Sequence, residues 1–251
     1  MGTITKALDL LDHFSNTRPE IGLAEFARLT GRDKATVHRH LTELAHNGFL
    51  EQHPGTRAYR LGPALLRLAA VREASFPVRK LLHPIVTALA EATGELAHAS
   101  LLQGEALSPV VHADPHQHGI HVHFDESEML PLHATSSGLS VLAFAPEALQ
   151  ARILARPLAH HTGQTITDPA RLRALLAEVR KSGVAQLEGA FDAEVTSQGT
   201  ALFGEGGVIG ALSVAVPSVR ATPEKLADIA TKLRTAAREA SRSLGGLTQR
   251  Y

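Results

Sequence analysis

One polar helix face in this sequence carries the residue types that read nucleic acid. Val37, Leu41 and Leu44 stand at i, i+4 and i+7, the spacing of a helix side that packs inward. The opposite side then presents short or polar residues, namely Lys34, Ala35, Thr36, His38, Arg39 and Thr42. Side chains of this size enter the major groove of a DNA duplex, and the first turn of such a helix is aimed at the bases.

The chemistry of this face suits base edges and phosphates together. The fork of Arg39 matches guanine, and the methyl group of Thr36 matches that of thymine. Lys34 and the neighbouring Arg32 are better suited to phosphates, for which charge matters more than planarity. A polar helix face taken alone is more often merely solvated, so the surrounding elements have to decide between the two interpretations.

The neighbouring elements are typical of a helix-turn-helix. Residues 23–29 predict a short helix that ends at Gly31, where a left-handed cap is needed. Asp33 is a good N-cap for a third helix that runs to about His46. A turn of about three residues with a glycine between two helices is the spacing of this motif. A preceding amphipathic helix is predicted over roughly residues 4–14.

A β-hairpin is predicted directly after the third helix. Residues 49–52 and 57–61 are strand-like and flank a turn at Pro54-Gly55. A hairpin in this position is a wing, and Arg57 near its tip is predicted to contact phosphate or the minor groove. The combination of helix-turn-helix, basic face and wing favours DNA binding over a merely solvated face.

Three stretches of the sequence resemble one family of regulators. They are ITKALDLLDHF, LAEFARLTGRDKATVHRHLTELAHNGFLE and YRLGPALLRLAA, and they are similar to the winged helix-turn-helix domain of the IclR family of bacterial transcriptional regulators. The resemblance implies a homodimer or homotetramer on double-stranded operator DNA, and two-fold symmetry makes a (pseudo)palindromic site the expectation. It also implies a C-terminal domain of GAF-like fold that senses a small-molecule effector.

The chain is predicted to hold two domains joined by a helix. Gly62-Pro63 starts a leucine-rich helix, and the break at Ser75-Phe76-Pro77 ends it. Residues 1–61 are then the winged helix-turn-helix domain, 62–75 the linker helix and 76–251 the effector-binding domain. The resemblance implies that the linker helix supports dimerisation, and its leucine content argues against a passive connector.

The second domain combines strands in its middle with helices at both ends. Helices are predicted to begin near Pro77, Asp168 and Thr222, and strand-like runs lie between them. This order predicts an α+β fold. The resemblance implies, more narrowly, a GAF-like antiparallel sheet with flanking helices.

A loop of small residues, LPLHATSSG at 130–138, precedes the apolar run 139–145. Ser136 and Ser137 are predicted to cap a helix there, and free N–H groups at a helix start favour an anion such as a carboxylate. The family borders its effector pocket with this passage, which implies contacts from His133, Ala134, Thr135, Ser136 and Gly138. Leu139 departs from the family, which usually has Lys there. A capped helix without a ligand is the alternative.

Two later passages extend the implied pocket. Residues 191–203, FDAEVTSQGTALF, contribute Asp192 and Ser197, although the family's Cys and Ala-Ala-Pro are replaced there. Residues 210–217, GALSVAVP, fit the family's last strand and contribute Ser213 as its polar member. Ser213 could equally satisfy a backbone group inside the sheet.

Five histidines lie within twelve positions, namely His112, His116, His118, His121 and His123. Asp114 and Asp125 accompany them, and imidazoles suit transition metals. Alternation would place His121 and His123 on one face of a strand. We favour an exposed loop and keep a metal site and an effector contact as alternatives, so no metal ligand is predicted.

Composition limits the remaining functions. Lys+Arg and Asp+Glu are balanced at 25 each, but residues 1–72 carry +3 (ten minus seven) and residues 73–251 carry −3 (fifteen minus eighteen). The absence of Cys excludes a disulfide, a thiolate metal ligand and a Cys nucleophile. No apolar run is long enough to span a membrane.

These observations predict a cytoplasmic, ligand-responsive transcriptional regulator that binds a small organic acid, a repressor rather than an activator. It is expected to use no cofactor and not to be an enzyme. The alternative is a His-rich metal-dependent hydrolase or metal sensor. Against this alternative, the sequence contains no HExxH and no Gly-x-Ser-x-Gly motif.

Overall fold

The computed structural model describes residues 2–246 and divides the chain into two compact units, Met1–Pro77 and Val78–Tyr251. The linker helix belongs to the first unit. The predicted domain limits at residue 1 and over 247–251 lie outside the described residues. None of the helices in the described part is long and apolar enough to cross a membrane.

The N-terminal unit is a set of short helices followed by a two-stranded hairpin. Its elements are α1 Thr3–Leu8, α2 Leu23–Thr30, α3 Lys34–His46, β1 Leu50–Gln52, β2 Tyr59–Leu61 and α4 Pro63–Ser75. Gly31 ends α2 in the left-handed region at φ 64°. Asp33 caps α3, because its carboxylate accepts the Thr36 N–H at 2.8 Å. The helix-turn-helix and its wing are therefore confirmed.

The first helix is shorter than the sequence predicts. The α-helix expected over 4–14 ends at Leu8, and a 3-10 turn covers Leu11–His13. The break lets Leu10 and Phe14 enter the core, whereas Ile4 stays 76% exposed. No residue of α1 itself is buried, so the predicted amphipathic face does not form over this helix, because core packing overrides a straight 3.6-residue period.

The hairpin is fixed to the body of the unit by backbone bonds and one aromatic ring. Its strands are antiparallel, with Leu50 opposite Leu61. Ile21 exchanges N–H to O bonds of 2.9 Å in both directions with Tyr59, whose ring is buried. The hairpin is thereby held against the core that carries α3.

The C-terminal unit is an α+β fold around one antiparallel sheet, as predicted. Six strands lie in the order β5-β4-β3-β8-β7-β6. The strands are β3 Leu96–Gln103, β4 Ala106–Ala113, β5 Leu130–Pro131, β6 Ala185–Glu188, β7 Val195–Gly204 and β8 Gly207–Pro217. The helices are α5 Val78–Thr93, α6 Ser136–Phe144, α7 Glu147–Leu154, α8 Pro169–Ser182 and α9 Pro223–Ser243. The sequence did not indicate α7 or β5.

Successive side chains along the central strands point alternately to the two faces of the sheet. Ala97 and Ala99 of β3 join the apolar core under α5 and α9. His98 and Ser100 consequently point to the other face, where α6 packs on β7 and β8. His98 is paired in register with Ser213 of β8, so both side chains stand on this second face. Polar residues on a buried face are the first structural sign of a site.

Candidate DNA interface and ligand pocket

The outer face of α3 is polar and open to solvent. Its residues Lys34, Ala35, His38, Arg39 and Thr42 are exposed, and Thr36 is half-buried. Val37 and Leu41 on the opposite side are fully buried and anchor the helix. Neither Lys34 nor Arg39 forms an ion pair with any residue between 2 and 246. This surface can therefore offer two uncommitted cations to a partner.

Arg32, which was predicted to contact phosphate, is bonded inside the N-terminal unit instead. Its guanidinium donates to the Lys6 carbonyl oxygen at 2.7 Å and to the Asp9 carboxylate at 2.5 Å, and its side chain is only 19% exposed. These bonds tie α1 to the turn of the helix-turn-helix. A charge neutralised inside the unit is poorly placed for phosphate, so we remove Arg32 from the candidate interface.

Arg57 stands at the tip of the hairpin with an exposed side chain. Its backbone has φ 62°, a left-handed conformation that is uncommon outside glycine. Two bonds hold it there: the Arg57 N–H donates to the His53 carbonyl oxygen and the Gln52 amide donates to the Arg57 carbonyl oxygen, both at 2.9 Å. The backbone is thus fixed while the guanidinium extends from the wing.

A cavity of about 190 Å³ lies on the second face of the C-terminal sheet. It is lined by strands β3, β6, β7 and β8, by the loop between β6 and β7, by the segment 122–130 and by residues 134–137 at the start of α6. The predicted residues that line it are Ala134, Thr135, Ser136, Asp192, Ser197 and Ser213. Its size is below that of a typical drug-sized site, which fits a small molecule.

The start of α6 presents free donors to this cavity. Thr135, not Ser136 or Ser137 as predicted, is the N-cap, and its hydroxyl oxygen accepts the Gly138 N–H at 3.0 Å. Thr135 takes the role because it is the last residue with extended backbone. The N–H groups of Ser136 and Ser137 have no acceptor in the described part of the chain. Two such groups at a helix start form a site for an anion.

Gly199 allows this helix start to lie directly on the sheet. A Cβ atom at this position would come within 2.7 Å of the Ser136 carbonyl and of the Ser137 nitrogen. All of these neighbours are backbone atoms, which cannot swing aside. A glycine in β7 is therefore required for the close approach that positions the donors.

A chain of hydroxyl groups joins α6 to the sheet. Ser213 donates to the Gln198 carbonyl oxygen at 2.7 Å, and its oxygen lies 3.0 Å from that of Ser136. Because the Ser213 proton is already directed to Gln198, the Ser136 hydroxyl is the donor of the pair. The alternative role foreseen for Ser213, satisfying a backbone group in the sheet, is present together with its place in the cavity wall.

His133 and Gly138 do not line the cavity, contrary to the prediction. The His133 ring is hydrogen-bonded to the Ala159 carbonyl oxygen at 2.9 Å, and burial lowers the pKa of His133. Gly138 is inside the first turn of α6, where a Cβ atom would lie 2.4 Å from the Pro131 carbonyl oxygen. Both residues thus contact other parts of the C-terminal unit and help to hold the segment 130–138 in place without touching the cavity.

His98 is the main lining residue that sequence reasoning missed. Its ring is buried, is hydrogen-bonded to the Ser100 hydroxyl at 3.2 Å and stacks on Phe124 with 4.6 Å between centroids. Burial, followed by the charge of His112, lowers the pKa of His98 to about 4. The imidazole is therefore neutral near pH 7. A His between two alanines of a buried strand was the available signal.

The charged residues of the cavity wall are acidic. Asp125, Glu128 and Asp192 line it, and no Lys or Arg of residues 2–246 does. Two of these carboxylates accept local backbone bonds, Asp125 from Ser127 at 2.9 Å and Asp192 from Glu194 at 3.0 Å. An anion in this cavity would consequently rest on N–H and hydroxyl donors rather than on a Lys or Arg side chain.

The histidine cluster is spread over several environments. The Nδ1 atom of His112 lies 2.5 Å from Oε1 of Glu126. His123 lies in the cavity wall. Residues 114–129 form neither helix nor strand, so the suggested strand alternation of His121 and His123 is wrong. Pro115 and Gly119 within the segment explain why no ladder continues.

Both units match descriptions of known domains. Residues 3–54 match the IclR helix-turn-helix domain, and residues 72–242 match the bacterial transcriptional regulator IclR C-terminal domain. The two matched stretches contain α2 and α3 with their outer face, and the whole of the cavity wall.

Similar proteins cover almost the full chain. A crystal structure of an ICLR transcriptional regulator from Silicibacter sp. TM1040 is 46% identical, with a TM-score of 0.92 over 99% of this chain and 98% of that chain. An IclR homologue from Microbacterium hydrocarbonoxydans, complexed with 4-hydroxybenzoate, is 26% identical, with a TM-score of 0.79 over 97% and 99%. The transcriptional repressor IclR of Escherichia coli (strain K12) is 25% identical, covering 98% of this chain and 90% of its own.

The exposed helix-turn-helix face, the cavity of the C-terminal unit and the two domain matches agree with one another. Together they describe a transcriptional regulator with a helix-turn-helix domain and a ligand-binding C-terminal domain, and the chain belongs to the IclR family.

Proposed function

We propose that the outer face of α3 enters the major groove of operator DNA. Arg39 reads a base edge, Lys34 contacts phosphate and Arg57 on the wing contacts phosphate or the minor groove. The observation that carries this proposal is an exposed, unpaired basic face on a helix whose other side is locked in the core. The remaining face residues, Ala35, Thr36, His38 and Thr42, then adjust the fit to the bases.

Replacing Arg39 with Ala tests this assignment. The operator is first selected from fragmented genomic DNA, and its affinity is then measured by fluorescence anisotropy. Arg39→Ala should weaken binding about tenfold or more and relax sequence preference, because a bidentate base contact is worth about 1–3 kcal/mol. Arg67→Ala removes the same charge from an exposed position on α4 and is the matched control. Equal loss in both variants would exclude Arg39 as a reader.

For the C-terminal domain, we propose a small organic carboxylate as the effector. The free N–H groups of Ser136 and Ser137 receive the carboxylate, and apolar residues such as Leu187 and Ala215 surround the body of the molecule. The 4-hydroxybenzoate complex of the Microbacterium homologue supports an acid of this size. Ser197, Ser213 and Asp192 complete the polar part of the wall.

A comparison of acids with their amides tests the anion site. A panel of small carboxylates, 4-hydroxybenzoate among them, is screened by thermal shift, each beside its uncharged amide. An acid that binds should raise the melting temperature, whereas its amide should not. The variant Ala215→Leu fills the cavity and should remove the shift. Equal shifts from acid and amide would contradict recognition through the helix start.

We further propose a homodimeric or homotetrameric repressor on a (pseudo)palindromic operator. Leu66, Val71 and Phe76 on and after α4 are more than half exposed, which suits an oligomer contact. The E. coli relative named as a repressor supports the direction of control. Light scattering of the purified chain and footprinting of the operator test this: a monomer, or a single unpaired half-site, would contradict it.

A binding function without catalysis is the interpretation that we propose for the cavity. The one hydroxyl hydrogen-bonded to His98 in the described residues is that of Ser100, which is fully buried and does not line the cavity. The hydroxyls that do line the cavity, such as those of Ser197 and Ser213, have no hydrogen bond to this imidazole that would activate them as nucleophiles. Recovery of every bound acid unchanged after prolonged incubation, checked by chromatography, is the expected result, and a converted acid would overturn it.

A further inference from the structure

Asp114, His116 and His121 bring three metal-ligating atoms together on the segment that follows β4. One atom of each side chain lies within 4.8 Å of the other two. In the part of the chain that the structure describes, this is the one group of three such side chains. The segment 114–129 also contributes Val122, His123, Phe124, Asp125 and Glu128 to the cavity wall.

The carboxylate of Asp114 is oriented toward both imidazoles. Its Oδ1 atom accepts the His116 backbone N–H at 2.8 Å, which fixes the plane of the carboxylate. Its Oδ2 atom then lies 3.5 Å from His116 Nδ1 and 3.3 Å from His121 Nδ1. These separations are longer than a normal N–H···O bond and close to those between ligands of one tetrahedral ion.

The cluster differs from the buried group around Glu95 in lacking a permanent cation. Glu95 is buried between Arg220 and Lys225, at 2.7 Å and 2.5 Å. Burial would raise the pKa of Glu95, but the bonds from these two residues outweigh it and hold the pKa below its usual range. Asp114, in contrast, has only imidazoles as ionic partners among the described residues, although its side chain is just 13% exposed.

We propose that Asp114, His116 and His121 bind one Zn²⁺ ion, which clamps the wall of the ligand cavity. Two imidazoles and one carboxylate are a ligand set that suits zinc, with water in the fourth position. The ion closes the loop from Asp114 to His121, and the next residue in the chain, Val122, already lines the cavity. The backbone bond to Asp114 is the outer contact that holds the carboxylate in place.

The position of the cluster outside the cavity means that the ion would act on the shape of the wall and would not touch a ligand in the cavity. None of its three ligands lines the cavity. The segment has a second attachment, because Arg220 donates to the Ile120 carbonyl oxygen at 3.0 Å. Metal binding would add a fixed point at His121, directly before the wall residues, and reduce the number of conformations of the wall.

Zinc titration of the untagged, chelator-stripped full-length chain tests the site. Isothermal calorimetry should show one Zn²⁺ per chain. His116→Gln and Asp114→Asn should each weaken it by about tenfold or more, since each removes a ligand. Asn at position 114 keeps an oxygen for the His116 N–H and so preserves the turn. His118→Gln, the matched control, removes an imidazole that faces Glu95 at 3.8 Å and should change the affinity less than about threefold.

Two results would overturn the proposal. One is the absence of saturable Zn²⁺ binding, or an equal loss in the His118→Gln control, which would mean diffuse adsorption to a His-rich surface. The other concerns the clamp. Amide hydrogen exchange over residues 114–129 should slow when Zn²⁺ is added, with β7 and β8 unchanged, and an unchanged rate over 114–129 would contradict it.

Discussion

The outer face of α3 and the ligand cavity are built in opposite ways. The surface is carried by one helix, and its side chains point outward with few internal partners. The cavity joins residues as distant as His98 and Ala215, and its polar groups are bonded to one another. Substitutions on the outer face of α3 should therefore change DNA binding alone. Substitutions around the cavity should change ligand binding and the free energy of unfolding together.

The largest expected effect is a loss of stability when the buried side of α3 is altered. Leu41 is fully buried at the centre of the N-terminal core. Leu41→Ala should lower the free energy of unfolding of this unit by about 4 kcal/mol, because it leaves a cavity as well as removing apolar contact. Urea unfolding followed by circular dichroism measures it. A loss below about 1 kcal/mol would show that α3 is not anchored as described.

Acid should destabilise the cavity domain through His98. The unfolded chain takes up a proton on this residue below pH 6.5, whereas burial keeps it neutral in the folded state down to a pKa of about 4. The contribution of His98 to the free energy of unfolding is therefore complete above about pH 6.5 and falls by about 3 kcal/mol as the pH drops toward 4.

The variant His98→Asn isolates this contribution. Its unfolding free energy should depend less on pH between 6.5 and 4 than that of the natural chain, as measured by urea unfolding at several pH values. An identical slope in both proteins would show that His98 is not the buried neutral group that the structure describes.

Gly199→Ala tests how the sheet positions the helix start. The added methyl group would meet the backbone of Ser136 and Ser137 at 2.7 Å, so α6 must shift. We expect a loss of about 2 kcal/mol in unfolding free energy. We also expect loss of the thermal shift by any carboxylate that binds the natural chain. Gly206→Ala is the control, because nothing lies within 4 Å of its added atom.

The smallest expected effect is that of Arg39→Ala on stability. This side chain is exposed and makes no ion pair in the described residues, so the free energy of unfolding should change by less than about 0.5 kcal/mol. Thermal and urea unfolding measure it beside the operator affinity. A large loss of stability would remove the distinction between the outer face of α3 and the cavity wall.

Sequence reasoning was most successful where local rules decide the structure. Gly31, Asp33 and the spacing of Val37 and Leu41 predict the two helices and the buried side of α3, and the structure confirms them. Local rules also predicted the start of α8 at Asp168, whose side chain caps the helix. Each of these depends on residues within one or two turns.

Two of the misplaced site residues have partners that are distant in the sequence. Arg32 was assigned to phosphate, but Asp9 and the Lys6 carbonyl oxygen, more than twenty positions away, bind it. His133 was placed in the cavity, but the Ala159 carbonyl oxygen holds its ring elsewhere. Spacing along the chain cannot reveal such contacts, because they form only after the elements have packed.

The proposal of a ligand-responsive regulator has one central claim, that a ligand in the cavity changes operator affinity, and one titration tests it most directly. Operator affinity is measured by anisotropy without and with the carboxylate that gives the largest thermal shift, for the natural chain and for Ala215→Leu. The account predicts a change of about fivefold or more in the natural chain. It predicts none in the variant, and equal operator affinity for the two ligand-free proteins. An unchanged affinity in the natural chain at saturating ligand would contradict it.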